Sequence, residues 1–209
     1  NIQTGVGKGS AEGTSTNIGG SHLQAKDTLA INTGELNITA SKNTQEIDSN
    51  TEQGHISAQM TAYGAAAGGV SVNADFSRSK NSETHTTITN STLTADIIQL
   101  TTTGDTNIRG GNVHADSMLV TDIGGDLNVE SLQNRSRTKN NAAGISGGFS
   151  ASGGDVTGIN GGINASNGMS TTRETVRSSL TSGGTADITV VGNTQITAAT
   201  IATIDADGN

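Results

Sequence analysis

Gly34-Glu35-Leu36-Asn37-Ile38 recurs as Gly104-Asp105-Thr106-Asn107-Ile108, as Gly125-Asp126-Leu127-Asn128-Val129 and, more loosely, as Gly192-Asn193-Thr194-Gln195-Ile196. Of the three steps between these glycines, Gly104 to Gly125 is short and the other two are long. The short step is the basic unit, because Leu93-Thr94-Ala95 returns as Val113-His114-Ala115 at almost the same spacing, and Leu23-Gln24-Ala25 is a third copy. Each long step is then one unit plus a large insertion, the first placed at 42–90 and the second at 132–181. A short fixed period means stacked repeats rather than a single globular core.

Within each unit the apolar residues alternate, as Leu29 and Ile31, Leu36 and Ile38, or Leu127 and Val129, with Gly, Asn and Asp between the runs. That is the period of a half-buried strand bounded by tight turns. Coils of about 20–21 residues built from such strands predict an all-β fold, a parallel β-helix whose coils stack at about 4.8 Å, so that four or five coils make a rod of roughly 20–25 Å. Leu36, Ile38, Thr106, Ile108, Leu127, Val129, Thr194 and Ile196 are expected to point inward. Asn37, Asn107, Asn128 and Gln195 would then form an outward ladder of amides that holds register.

Composition agrees with a thin core. Gly, Ser, Thr and Asn make up about half of the 209 residues, while Leu, Ile, Val and Phe together fall just under a fifth. A solenoid needs no more, since each coil is closed by its neighbours and not by large aromatics. The three aromatics, Tyr63, Phe76 and Phe149, and a formal charge of -8 argue against nucleic acid as a partner. There is no cysteine, hence no disulfide or thiolate chemistry.

The insertions are of another kind. Ile56, Ala58, Met60 and Ala62 alternate up to Tyr63, a Gly-Ala stretch turns the chain, and Val70, Val72, Ala74 and Phe76 alternate back, which reads as an antiparallel hairpin. Ile145, Gly147, Phe149 and Ala151 followed by Ile159, Gly161, Ile163 and Ala165 form a glycine-richer version. Residues 1–17, with Gly5, Gly7, Gly9 and Gly13, read as the returning half of a third. The candidate contact residues are therefore Ile56, Met60, Tyr63, Val70, Val72, Phe76, Ile145, Phe149, Ile159 and Ile163. Their alternating faces approach the length of a tilted transmembrane strand, about 9–11 residues. The plainer reading packs these faces on each other or on the rod. Charge divides along the same line: segments 18–41, 91–131 and 182–209 hold eleven acids and two bases, whereas the second insertion is net basic.

Conventional chemistry is poorly supported. Glu35, Asp105 and Asp126 occupy equivalent repeat positions and read as turn residues after glycine, with a weak cation site as the alternative. His22, His55, His85 and His114 never fall at metal-ligand spacing, and neither a G-x-S-x-G elbow nor a phosphate loop occurs. No metal, cofactor or catalytic residue is expected.

The G-D-L-N-V units, Thr-rich strands and insertions such as Ser41-Lys42-Asn43-Thr44 to Thr87-Ile88-Thr89-Asn90-Ser91 resemble the hemagglutinin-repeat region of large two-partner-secreted exoproteins. That group holds the filamentous hemagglutinins and the contact-dependent growth inhibition proteins. The resemblance covers essentially the whole chain, 1–209, as one repeat segment. It implies a right-handed β-helical filament, exported by an outer-membrane secretion partner and displayed on the surface of a Gram-negative cell. It also implies contact with adjoining repeats of the same chain and with a target-cell outer membrane or receptor. Two functions follow: support of toxin delivery into neighbouring bacteria, or an adhesin stalk. A β-helical polysaccharide-active enzyme is a third class, for which Asp105, Asp126 and Arg109 are the residues to test.

Overall fold

A computed structural model describes residues 2–3, 14–63 and 67–204. Every regular element among them is a strand: β1 Ile2–Gln3, β2 Ser15–Gly19, β3 His22–Gln24, β4 Thr28–Thr33, β5 Glu35–Thr39, β6 Ser41–Tyr63, β7 Ala67–Thr89, β8 Ser91–Thr102 and β9 Thr106–Arg109. They continue as β10 Gly111–Ile123, β11 Leu127–Glu130, β12 Leu132–Ser152, β13 Asp155–Val176, β14 Ser179–Ser182, β15 Thr185–Val190, β16 Thr194–Thr197 and β17 Thr200–Thr203. The chain divides into two compact units, one of Asn1–Thr44, Thr86–Asn134 and Arg173–Asn209, the other of Gln45–His85 and Arg135–Thr172.

The first unit is a parallel β-helix. Its shorter sheet has five strands in the order β16-β11-β9-β5-β2, one from each of five coils, and its longer sheet runs β1-β4-β8-β10-β14-β17, with β3 on β8 and β15 on β10. All these pairings are parallel, and they bring residues one coil apart into columns. Thr16, Leu36, Thr106, Leu127 and Thr194 form one; Ile18, Ile38, Ile108, Val129 and Ile196 form another. On the longer sheet Leu23, Leu93, Val113, Leu180 and Ile201 align, as do Leu29, Ile98 and Leu119. Leu36, Ile38, Leu93, Ile98, Ile108, Val113, Leu119 and Leu127 are wholly buried in this interior. Each such side chain contributes about 1.5–3 kcal/mol by burial. Small hydroxyls fill the rest of the width, paired across the coil: Thr16 donates to Thr33 at 3.0 Å and Thr102 pairs with Thr106 at 3.0 Å.

One sequence expectation needs correction, and another falls largely outside the described residues. Thr194 and Ile196 occupy the inward register positions, yet both are exposed, Ile196 by 50%. A solenoid position is buried by the coils on both sides of it, and β16 is the outermost strand of its sheet among the described residues. Residues 1 and 4–13, most of the region read as part of a third hairpin, lie outside the described residues. The flanking described positions belong to coils: Ile2–Gln3 pair with Ile31–Asn32, and Ser15–Asn17 with Glu35–Asn37.

The polar exterior of the shorter sheet is stitched coil to coil. Asn37 Nδ2 donates to Asn17 Oδ1 at 3.0 Å, Asn107 to Asn37 at 3.0 Å and Asn128 to Asn107 at 2.9 Å. This is the expected ladder, extended by Asn17, while Gln195 stands in register with Asn128.

One corner decides where the chain leaves the rod. Gly20, Ala40, Gly110, Ser131 and Ala198 each follow an aligned residue of the shorter sheet and so hold the same place in successive coils. Gly20, Gly110 and Ala198 have φ of 55, 73 and 53°, and there the chain turns directly into the longer sheet. At Ala40 and Ser131, which lack that left-handed conformation, it runs out into β6 and β12 instead. A Cβ on Gly110 would lie 2.5 Å from Ala40 Cβ and 2.8 Å from Leu132 Cδ1, so this tight corner fits between the bases of the two excursions only as glycine.

Candidate interaction surface

The second unit is built from the greater part of β6, β7, β12 and β13, which form a four-stranded sheet in the order β13-β12-β7-β6. Strands of 21 to 23 residues are about 70–78 Å long at the usual rise. Close approaches between neighbours fix the pairing sense: Gly54 faces Phe76 while Gly68 faces Thr61, Gly69 faces Ala151 while Gly144 faces Phe76, and Gly147 faces Asn160 while Gly144 faces Asn164. In each pair of contacts one residue number rises as the other falls, so all three junctions are antiparallel. The turn from β12 to β13 is Gly153-Gly154, with φ of 66 and 96°, the two positive values that a two-residue hairpin turn of the type I′ class demands.

An antiparallel sheet normally hides one face. This one hides neither: almost every described side chain of β6 and β13 is exposed, and those of β7 and β12 are exposed or half-buried. Ile56, Met60, Ile159 and Ile163 are 77, 80, 83 and 85% exposed. Phe76, Ile145 and Phe149 are about half exposed, Val70 is exposed and Val72 half-buried. Tyr63 is placed at the end of β6, but its side chain lies outside the described residues. Of the ten candidates the structure draws Ile56, Phe76 and Ile145 together, with Ala74, around an open groove of about 560 Å³. The rest are spread along the strands. Ile47, Val156 and Met169 are also exposed apolar residues of these strands that the alternating pattern did not single out.

Charge is sharply partitioned along the strands. Between positions 53 and 77 and between 140 and 168, Asp75, Asp155 and His55 are the only Asp, Glu, His, Lys or Arg side chains. Immediately outside that stretch stand Glu52, Arg78, Lys80, Arg137 and Lys139. Arg78 and Lys80 line a second cavity, about 310 Å³, with Ala142, Ala143 and Asn167. Arg78 also pairs with Glu52 at 3.3 Å and Arg137 Nη2 donates to Met169 Sδ at 3.2 Å, both in exposed settings where such contacts are worth at most about 1 kcal/mol.

Two acids of the rod are bound to its own backbone. Asp105 Oδ1 accepts the Asp126 N–H at 2.8 Å, and Asp126 Oδ1 accepts the Asn193 N–H at 2.7 Å. Glu35 Oε1 accepts from Asn37 Nδ2 at 3.2 Å, and Arg109 pairs with Glu130 at 2.7 Å. The two aspartates at the repeat position thus tie one coil to the next, a role in which their oxygens serve the fold. Among the described residues no three His, Asp or Glu side chains converge.

Residues 8–144 match the hemagglutinin repeat family. The chain belongs to that family. This hemagglutinin repeat segment is also 30% identical, over 199 residues and 91% of its length, to the deoxyribonuclease CdiA of Dickeya dadantii (strain 3937). It spans only 6% of the length of that relative.

Proposed function

We propose that this hemagglutinin repeat segment is a non-enzymatic part of a large cell-surface filament, exported through an outer-membrane partner, that supports delivery of a toxin into neighbouring bacteria. The relative's name attaches a deoxyribonuclease to a protein of which this segment matches 6%. The chemistry of the segment gives no reason to assign that activity to it, since Asp105 and Asp126 are bound to the backbone of the next coil and Arg109 to Glu130.

The observation that carries the reading is the hairpin sheet. Both faces are exposed, the strand stretches beyond the cations, 53–63, 67–77, 140–152 and 155–168, are nearly free of charge, and Ile56, Met60, Ile159 and Ile163 stand out from them. A bilayer core needs strands of about 9–11 residues with apolar side chains outward, and cations on flexible stems suit its border with water. Each of the four stretches meets that length. With its two edges paired or closed, as a bilayer core requires, such a sheet fits the target outer membrane, with Arg78, Lys80, Arg137 and Lys139 at the headgroup level.

Flotation of the whole chain with vesicles of outer-membrane lipid tests this. The wild type is expected to float, and the fourfold change of Ile56, Met60, Ile159 and Ile163 to Ser to lower partition at least tenfold. A wild type that stays with the aqueous fraction, or a variant that floats equally well, contradicts membrane contact. The adhesin stalk remains the second reading, favoured if the chain binds protein-coated target cells but not protein-free vesicles.

A further inference from the structure

The four-stranded sheet ends on two unpaired strand edges, those of β6 and β13. Such edges are templates for further strands unless guarded by proline, bulges or inward charges. The chain contains no proline, and β13 carries a single charged residue, Asp155, between its start and Arg173.

We propose that these edges are joints, filled by hairpins of the same kind inserted two coils away, so that the sheet continues from hairpin to hairpin as an open-ended ribbon. The spacing follows from the corner. Excursions leave at Ala40 and Ser131, and the corners before, between and after them, Gly20, Gly110 and Ala198, are tight. Insertion therefore occurs in every second coil. Two coils rise by about 9.5 Å, and a two-stranded hairpin is about 9.5 Å wide in the hydrogen-bonding direction. Alternate insertion delivers each hairpin at the spacing at which its edge meets the edge of the last, and the junction of β7 with β12 is one such joint.

The base of that joint has a marker that the free edge repeats. Asn134 Oδ1 accepts the backbone N–H of Ile88 at 2.7 Å, from the returning strand of the preceding hairpin. The counterpart of Asn134 is Asn43, three places beyond Ala40 as Asn134 is three beyond Ser131, and it is exposed on the outer strand β6. The counterpart of Ile88 on β13 is Thr175, three places before Ser178 as Ile88 is before Ser91. Ser91 aligns with Gly111, and Ser178 immediately precedes Ser179, the partner of Asn112, so both serines stand at the same level of the coil. An arriving hairpin would thus set its Asn43 against the N–H of Thr175. The chain runs outward in β6 and inward in β13, so that their union is antiparallel like the joint already formed.

Because Thr16 and Thr194 hold the same register position, residues 1–193 can be joined directly to residues 16–209 to give one continuous rod with two hairpin pairs. Amide hydrogen exchange with mass readout then compares this fused chain with the single one. In the single chain the peptides of β6 and β13 are expected to exchange as one fast population each. In the fused chain each is expected to split into two equal populations, one at least tenfold slower, because one copy of each edge is now internal. Edge peptides that remain a single fast population while β7, β12 and the coils stay protected would overturn the proposal. So would a fused chain whose coils lose protection, since a register-true joint is what the alternation requires. The outcome does not depend on membrane contact or toxin delivery.

Discussion

Asn107 occupies the middle of the amide ladder, donating to Asn37 and accepting from Asn128, whereas Asn17 at one end only accepts from Asn37 among the ladder bonds. Asn107→Ala breaks two of these bonds and is expected to lower stability by about 1–2 kcal/mol in urea unfolding, with Asn17→Ala costing about half as much. Equal losses at the two sites would show that the ladder does not act as a chain of pairwise bonds. Thr121 presents the opposite case. It is 1% exposed, stands between Leu100 and Ile188 in an apolar column, and its hydroxyl is buried without a partner. Thr121→Val keeps the shape and removes the orphan, and is expected to raise stability by about 1 kcal/mol. The ladder was legible in the sequence because asparagine recurs between alternating apolar residues after a glycine and an acid. Asn17 was missed because Thr14-Ser15-Thr16-Asn17-Ile18 lacks that preceding pair. The isolation of the Thr121 hydroxyl was not legible at all, since most threonines of this chain look alike until their neighbours in other coils are known.

The corner is a property of the element rather than of any one residue. Ala198 adopts a left-handed φ that costs an L side chain about 1 kcal/mol, so Ala198→Gly is expected to stabilise the last coils by about that amount. Gly110→Ala meets both the conformational cost and the Ala40 and Leu132 side chains, and should destabilise by about 3 kcal/mol. The same logic gives a deletion. With Ala40→Gly joined straight to Ser91, residues 41–90 removed, the second coil should close like the third, and the coil amides should retain their hydrogen-exchange protection. Loss of protection throughout the coils would mean that the hairpin is part of the rod's own support. Both excursions were readable as hairpins from their two-residue period. Their union was not, because pairing between β7 and β12 depends on how many coils separate two corners, a distance invisible in either hairpin alone. The inward reading of Thr194 and Ile196 failed in burial for a related reason: periodicity tells which way a side chain points, while exposure depends on what is stacked above it.

At the scale of the whole molecule the sequence divides its work. The coils place their few apolar residues inside, and turn Asp105 and Asp126 to bonds with the next coil. The hairpins do the reverse and hold Ile56, Met60, Ile159 and Ile163 in the open. A scaffold built that way needs the second region for contact with something else, and that division is the central claim. Its most direct test uses the parent exoprotein with residues 41–90 and 132–177 each replaced by a glycine corner, scoring surface display, target-cell binding and growth inhibition separately. The account predicts that display and binding persist while inhibition is lost. Inhibition that survives removal of both hairpins would contradict it, and loss of binding itself would transfer the sheet's role to adhesion.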